Sequence, residues 1–90
     1  MSVSVEIAPH ARESAQERGA TEVEIVETVV SGESFPAKFG RVGFRRNHPF
    51  NSHWRGQFYT TKQIEVFAVE EHGRWIVVTV LVKFFGKAAP

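Results

Sequence analysis

Near Gly40 the hydrophobic residues of this chain change their period, and that change limits the fold to helices first and sheet second. Before it, Val23, Val26 and Val30 recur at helical spacing, with Ile25 and Val29 widening the stripe. After it, Val42 and Phe44 alternate with Arg41, Gly43 and Arg45, the period of two that belongs to a half-buried strand. A chain of 90 residues has room for one core. Both halves are therefore expected in one domain over 1–90, ordered from about residue 5 to residue 86.

The helical half carries its own punctuation. Pro9 suits a first turn, where a missing N–H costs nothing, and Ala8, Ala11 and Ala15 lie on one side up to Arg18. Gly19 fits a C-terminal stop. Thr21 and Glu24 form a capping-box pattern that opens a second helix, which Gly32 closes. The spacing predicts helices over 9–18 and 21–31.

In the second half, Asn47 to Ser52 reads as a loop from its turn residues, Trp54 to Tyr59 as a short strand, and Lys62 to Glu71 as a third strand. His72-Gly73 marks a tight turn into the apolar run Arg74 to Phe85, the expected central strand. Gly86 to Pro90 is expected to be a loose tail. The fold class is α+β: two N-terminal helices on one face of a three- to four-stranded antiparallel sheet.

Two registers are open for the last hairpin. A two-residue turn pairs Val66 with Thr79 and sets Glu65 among Ile76, Val78, Val80 and Val82. One further loop residue aligns Ile64, Val66 and Ala68 with that apolar set. The second is preferred because it segregates the hydrophobes under the helices. It leaves Glu65, Phe67, Trp75, Thr79 and Lys83 on the opposite face, beside Arg41 and Arg45.

Composition removes several functional classes. There is no cysteine, so no disulfide framework and no thiolate metal site. His48 and His53 have no nearby carboxylate to complete a zinc set, and no metal or cofactor is expected. Gly-rich phosphate loops, Ser-His-Asp arrangements and dinucleotide fingerprints are missing. The start of the chain has no signal-peptide pattern, and no apolar run approaches the ~20 residues of a membrane span. A soluble, cytoplasmic protein is expected. The net charge of +1 conceals a segregation. Residues 1–33 carry seven glutamates against Arg12 and Arg18, whereas 34–64 carry Lys38, Arg41, Arg45, Arg46, Arg55 and Lys62 with no acid. A basic middle segment could meet phosphate, or the acidic helices could simply pack beside it.

The order of signals also resembles a family. His10-Ala11-Arg12 opens a helix, Arg18-Gly19 ends it, and an acidic second helix closes at Ser31-Gly32. Pro49-Phe50-Asn51, Trp54-Arg55-Gly56-Gln57-Phe58-Tyr59, Lys62-Gln63-Ile64-Glu65-Val66-Phe67, Val69-Glu70-Glu71 and Val77-Val78-Thr79-Val80 follow. From about His10 to Gly86 this resembles domain of unknown function 4258, whose members look like relatives of the RelE/ParE toxin fold. The resemblance implies a RelE-like fold and a metal-independent endoribonuclease toxin, with RNA or the ribosome as target and a cognate antitoxin as partner. It carries His10, Lys62 and Thr79 over as the site.

Such chemistry needs an acid and a base for the ribose and leaving oxygens, and cations for the phosphorane charge. His10 is of a residue type able to serve as either the acid or the base. Arg41, Arg45, Arg46 and Arg55 offer guanidinium forks to phosphate, and Trp54 and Tyr59 offer rings to bases or to a partner. Each residue also has an ordinary reading: a first-turn helix residue, a solvated strand face, a small aromatic core. The alternative function is therefore a non-catalytic protein-binding or dimerisation module of the same fold.

Overall fold

The protein, described for residues 4–86 by a computed structural model, runs in the order β1 (Ser4–Ile7), α1 (Pro9–Arg18), α2 (Glu22–Ser31), β2 (Glu33–Pro36), β3 (Val42–Trp54), β4 (Gln57–Glu71) and β5 (Arg74–Phe85). Both helices stand where their signals place them. α1 starts with Pro9 in its first turn and ends at Gly19, which adopts φ 85°. There Ala20 N–H donates to the Ala15 carbonyl at 2.8 Å. Thr21 Oγ1 accepts from Glu24 N–H at 3.2 Å while Glu24 Oε1 accepts from Thr21 N–H at 3.0 Å, a complete capping box. Gly32 closes α2 for a different reason. Its φ is −80°, open to any residue, but a Cβ there would run into the Thr28 and Arg45 carbonyl oxygens.

The sheet has five strands in the order β1-β5-β4-β3-β2. The α+β class stands, but the sheet is mixed rather than wholly antiparallel, because β1 runs parallel to β5. Four residues of alternation before Pro9 are too short a pattern to read as a strand. Their place is decided by contact: Val5 pairs with Trp75 and Ile7 with Val77, and both side chains join the core. β2 is equally short and lines the β3 edge, with Pro36 at its end, where a missing N–H is tolerated.

The expected loop at Asn47 to Ser52 and strand at Trp54 to Tyr59 are corrected together. β3 continues through to Trp54, and the reversal falls at Arg55-Gly56, with φ of 51° and 82°. Positive φ at both central residues makes this the turn that matches strand twist. The turn-forming residues upstream serve a bulge, a register shift between Pro49 and Ser52 with Asn51 at φ 46°. Bulges bend a strand, and here the hairpin end turns to the helix side, where Trp54 stacks on Phe84 at 5.0 Å.

Each register considered for the last hairpin is realised over part of it. His72-Gly73 forms a two-residue turn with Glu71 opposite Arg74, and Ala68 still faces Val77. A bulge then shifts the pairing, so Phe67 faces Thr79, Val66 faces Val80 and Ile64 faces Val82. The additional residue, Val78, sits in the strand and not in the loop. Trp75 and Val77 are thereby brought to the helix side, which corrects the expectation for Trp75. It packs edge-on against Phe44 at 5.1 Å. Glu65, Phe67 and Thr79 lie on the open face.

The core sits between the helices and one sheet face. Ile64, Val66, Ala68, Val77 and Val80 are fully buried beneath Ala11, Ala15, Ile25 and Val29. Each buried Val or Ile contributes about 1.5–3 kcal/mol. α1 rests on β5, with Ala11 and Ala15 buried. α2 is rotated relative to the expectation. Ile25, Thr28 and Val29 face inward, whereas Val23, Val26 and Val30 face solvent. With apolar residues on both sides, helical period alone could not choose the face. Among the described residues no helix is long and apolar enough to cross a membrane. The expected loose tail lies outside the described residues beyond Gly86.

Candidate nucleic-acid interface

The helices cover one side of the sheet, and the other side is open. Across it runs one lateral row: Phe35, Gly43, Phe67 and Thr79 are successive partners on β2, β3, β4 and β5. Gly43 is required in this row, since a Cβ would collide with the Phe35 ring lying over it. Phe35 meets Phe67 edge-on at 6.0 Å. The next row is a charge ladder of Glu33, Arg45 and Glu65, in which Arg45 Nε donates to Glu65 Oε2 at 3.1 Å. The Arg45 guanidinium also lies over the Phe35 ring, 4.6 Å from its centre.

Beside the first row the β2–β3 connection forms a wall. Phe35, Phe39, Phe67, Thr79, Lys38 and Arg41 border a groove of ≈ 410 Å³. Phe39 stands out on two counts. It is 86 % exposed and adopts φ 62°, a left-handed conformation that costs a bulky side chain roughly 1–2 kcal/mol. Neither burial nor backbone geometry accounts for phenylalanine here. Among the described residues no carboxylate pairs with Lys38 or Arg41.

A second polar group lies on the helix side. Lys62, 5 % exposed, donates from Nζ to Glu24 Oε1 and to the Gly19 carbonyl, both at 2.8 Å. It also lies over the Phe50 ring at 5.1 Å. Its cross-strand neighbour His48 is buried too, with Nε2 3.1 Å from Thr28 Oγ1. The Thr28 hydroxyl donates to the Glu24 carbonyl at 2.7 Å, so it accepts from His48 Nε2–H. That tautomer leaves Nδ1 directed at Glu27 Oε2, 3.8 Å away. Burial acts to raise the Glu24 carboxyl, but hydrogen bonds from Lys62 and Thr21 and the Lys62 charge together hold it below its usual range.

Burial pushes the His48 imidazole below its usual value of 6.5, assisted by the charges of Arg46 and Lys62 and opposed by Glu24 and Glu27. The native state thus binds this proton less readily than the unfolded chain. Stability from this group is complete above about pH 6.5 and is expected to fall as pH drops below it toward the folded value. Urea midpoints across pH should show that slope in the wild type and a flatter one in His48→Gln. Parallel slopes would assign the acid sensitivity elsewhere. The Glu24 contribution is lost separately, below its usual value of 4.5.

The residues singled out in the sequence are dispersed. His10 is exposed near the start of α1, Lys62 is buried under the helices, and Thr79 is on the far side of the sheet. These three do not converge. Arg41 borders the groove, Arg45 is held by Glu65, and Arg46 is on the helix side by register with Ile64. Arg55 sits at the β3–β4 turn over Trp54, and its Nη2 donates to the Glu17 carbonyl at 3.5 Å. Trp54 and Tyr59 both pack on Phe84, at 5.0 and 5.7 Å. Sequence reasoning missed Phe35, Lys38, Phe39 and Phe67 as a group. The available signal was the interleaving of aromatic and basic residues from Phe35 to Arg41, just before the change of period.

Searches against models of protein families, curated proteins and solved structures find no match to the chain.

Proposed function

We propose that the protein binds single-stranded RNA across the open face of its sheet. The observation that carries this reading is Phe39, displayed at φ 62° and 86 % exposed beside two cations free of carboxylate partners among the described residues. Single-stranded nucleic acid is held by aromatic rings that stack on bases and by cations that follow the backbone. Phe39 and Phe35 provide the rings, Lys38 and Arg41 the cations, and the Thr79 hydroxyl a group able to hydrogen-bond a base edge or a 2′-OH. On this reading the protein is a cytoplasmic, RelE-like RNA binder. Cleavage is not part of the reading, because His10, Lys62 and Thr79 do not share a face and Lys62 is committed to Glu24 and Gly19.

The test is fluorescence anisotropy with a labelled single-stranded RNA of about 12 nucleotides, and with the matching duplex as a second arm. Phe39→Ala should weaken single-strand binding by roughly 5- to 150-fold, the effect of ~1–3 kcal/mol for one stacked base. Lys38→Ala and Arg41→Ala should each reduce the slope of log affinity against log salt by about 0.7. Wild-type affinity in all three variants, or a preference for duplex, would overturn the proposal.

A further inference from the structure

α2 carries two apolar sides, and the structure employs one. Ile25, Thr28 and Val29 are buried against the sheet, while Val23, Val26 and Val30 are 67, 37 and 53 % exposed. Exposed valine gains nothing from helix formation, since its propensity is inferior to that of alanine by about half a kcal/mol. A helix packed on one sheet needs a single apolar stripe, and α2 carries a second. Glu22 and Glu27 border the outward stripe, and with Val23 and Val26 they outline a shallow groove of ≈ 330 Å³.

We infer that this side of α2 docks an amphipathic helix of a partner protein, one whose apolar stripe is bordered by Lys or Arg. The charge pattern selects that occupant. A second copy would set Glu22 and Glu27 against their own equivalents, and like charges along a helix–helix border destabilise it. An anionic lipid surface meets the same repulsion. Arg12 holds Glu22 at 2.7 Å, but that pair is half-exposed and exchangeable. Glu27, half-exposed, has the His48 ring at 3.8 Å as its one ion-pair neighbour among the described residues, which leaves it open to an incoming cation. Helix-in-groove recognition needs an apolar anchor row with charged flanks, and Val23, Val26 and Val30 at i, i+3 and i+7 supply the row. The surface lies on the helix layer, opposite the RNA groove, so the two sites are independent.

Two synthetic helical peptides of about 18 residues, sharing a leucine stripe and bordered by either Lys or Glu, serve as probes for the 90-residue chain. Anisotropy should show saturable binding of the Lys peptide, at least about tenfold tighter than the Glu peptide. Val26→Asp should weaken it at least about tenfold while leaving Tm and RNA affinity unchanged. Glu27→Lys should erase or reverse the preference between peptides. Equal binding of both peptides, or no saturable binding of either, overturns the inference. So does self-association in sedimentation that Val26→Asp abolishes, which would make a second copy the occupant.

Discussion

Glu24→Gln is expected to destabilise the protein by about 3–5 kcal/mol, the usual cost of leaving one member of a buried ion pair uncompensated. Lys62 is 5 % exposed, and without the Glu24 carboxylate its ammonium would retain the Gly19 carbonyl and the Phe50 ring. Gln keeps an oxygen able to accept from Thr21 N–H, so the helix cap survives and the change isolates the charge. Against a total of roughly 5–13 kcal/mol for a domain of this length, the loss is severe. Lys62→Met should behave differently. It removes the buried cation, and Glu24, with its side chain 20 % exposed, can be hydrated. Removing both charges of such a pair is often near neutral, so the double variant should recover most of the Glu24→Gln loss. Urea unfolding of both single variants and the double variant checks the asymmetry. Equal losses from Glu24→Gln and Lys62→Met would show that the cost does not come from an uncompensated buried ammonium.

Trp54→Ala is expected to lose roughly 2–3 kcal/mol, somewhat less than the ~3–5 kcal/mol of a wholly buried tryptophan. Its ring stacks on Phe84 with an interplanar angle of 16°, carries the Arg55 guanidinium at 5.3 Å, and lies against Gly19 at the end of α1. Those contacts fasten the bent end of the β3–β4 hairpin to the first helix. RNA affinity should remain within about twofold, because the ring is engaged on the helix side of the sheet. Phe39→Ala should give the converse, with RNA affinity lost and stability unchanged. Urea midpoints and anisotropy on the same two proteins test this crossing pattern. If Trp54→Ala, under conditions where it is folded, loses RNA affinity as Phe39→Ala does, the aromatic site belongs at the hairpin and not in the groove.

Local signals were the legible part of this chain. Pro9, Gly19 and the Thr21–Glu24 box act within one helical turn, so both helices could be read directly. The change to period two near Gly40 likewise announced a sheet. Turn residues were less decisive, because one vocabulary serves turns and bulges. Asn47 to Ser52 looked like a reversal and is a bend within a strand, while the true reversal, Arg55-Gly56, was hidden inside an apparent strand. Of the candidate site, Arg41 and Thr79 were legible; Phe35, Lys38, Phe39 and Phe67 were not seen as a group, since β2 is four residues long and its pairing is non-local.

What the amino-acid order determined by itself was the class, α+β, the two helix spans, and an apolar set sufficient for one core. Tertiary contact decided the rest. β1 joined β5 in parallel because Val5 and Ile7 could be buried there. Both sides of α2 are apolar, and the pattern left them equivalent until the Glu24–Lys62 pair and the His48–Thr28 contact drew one side down. The bulge at Val78 settled the faces of β5: a shift of one residue exchanges every side chain between core and solvent, and only burial of Val77 and Val80 together resolves it.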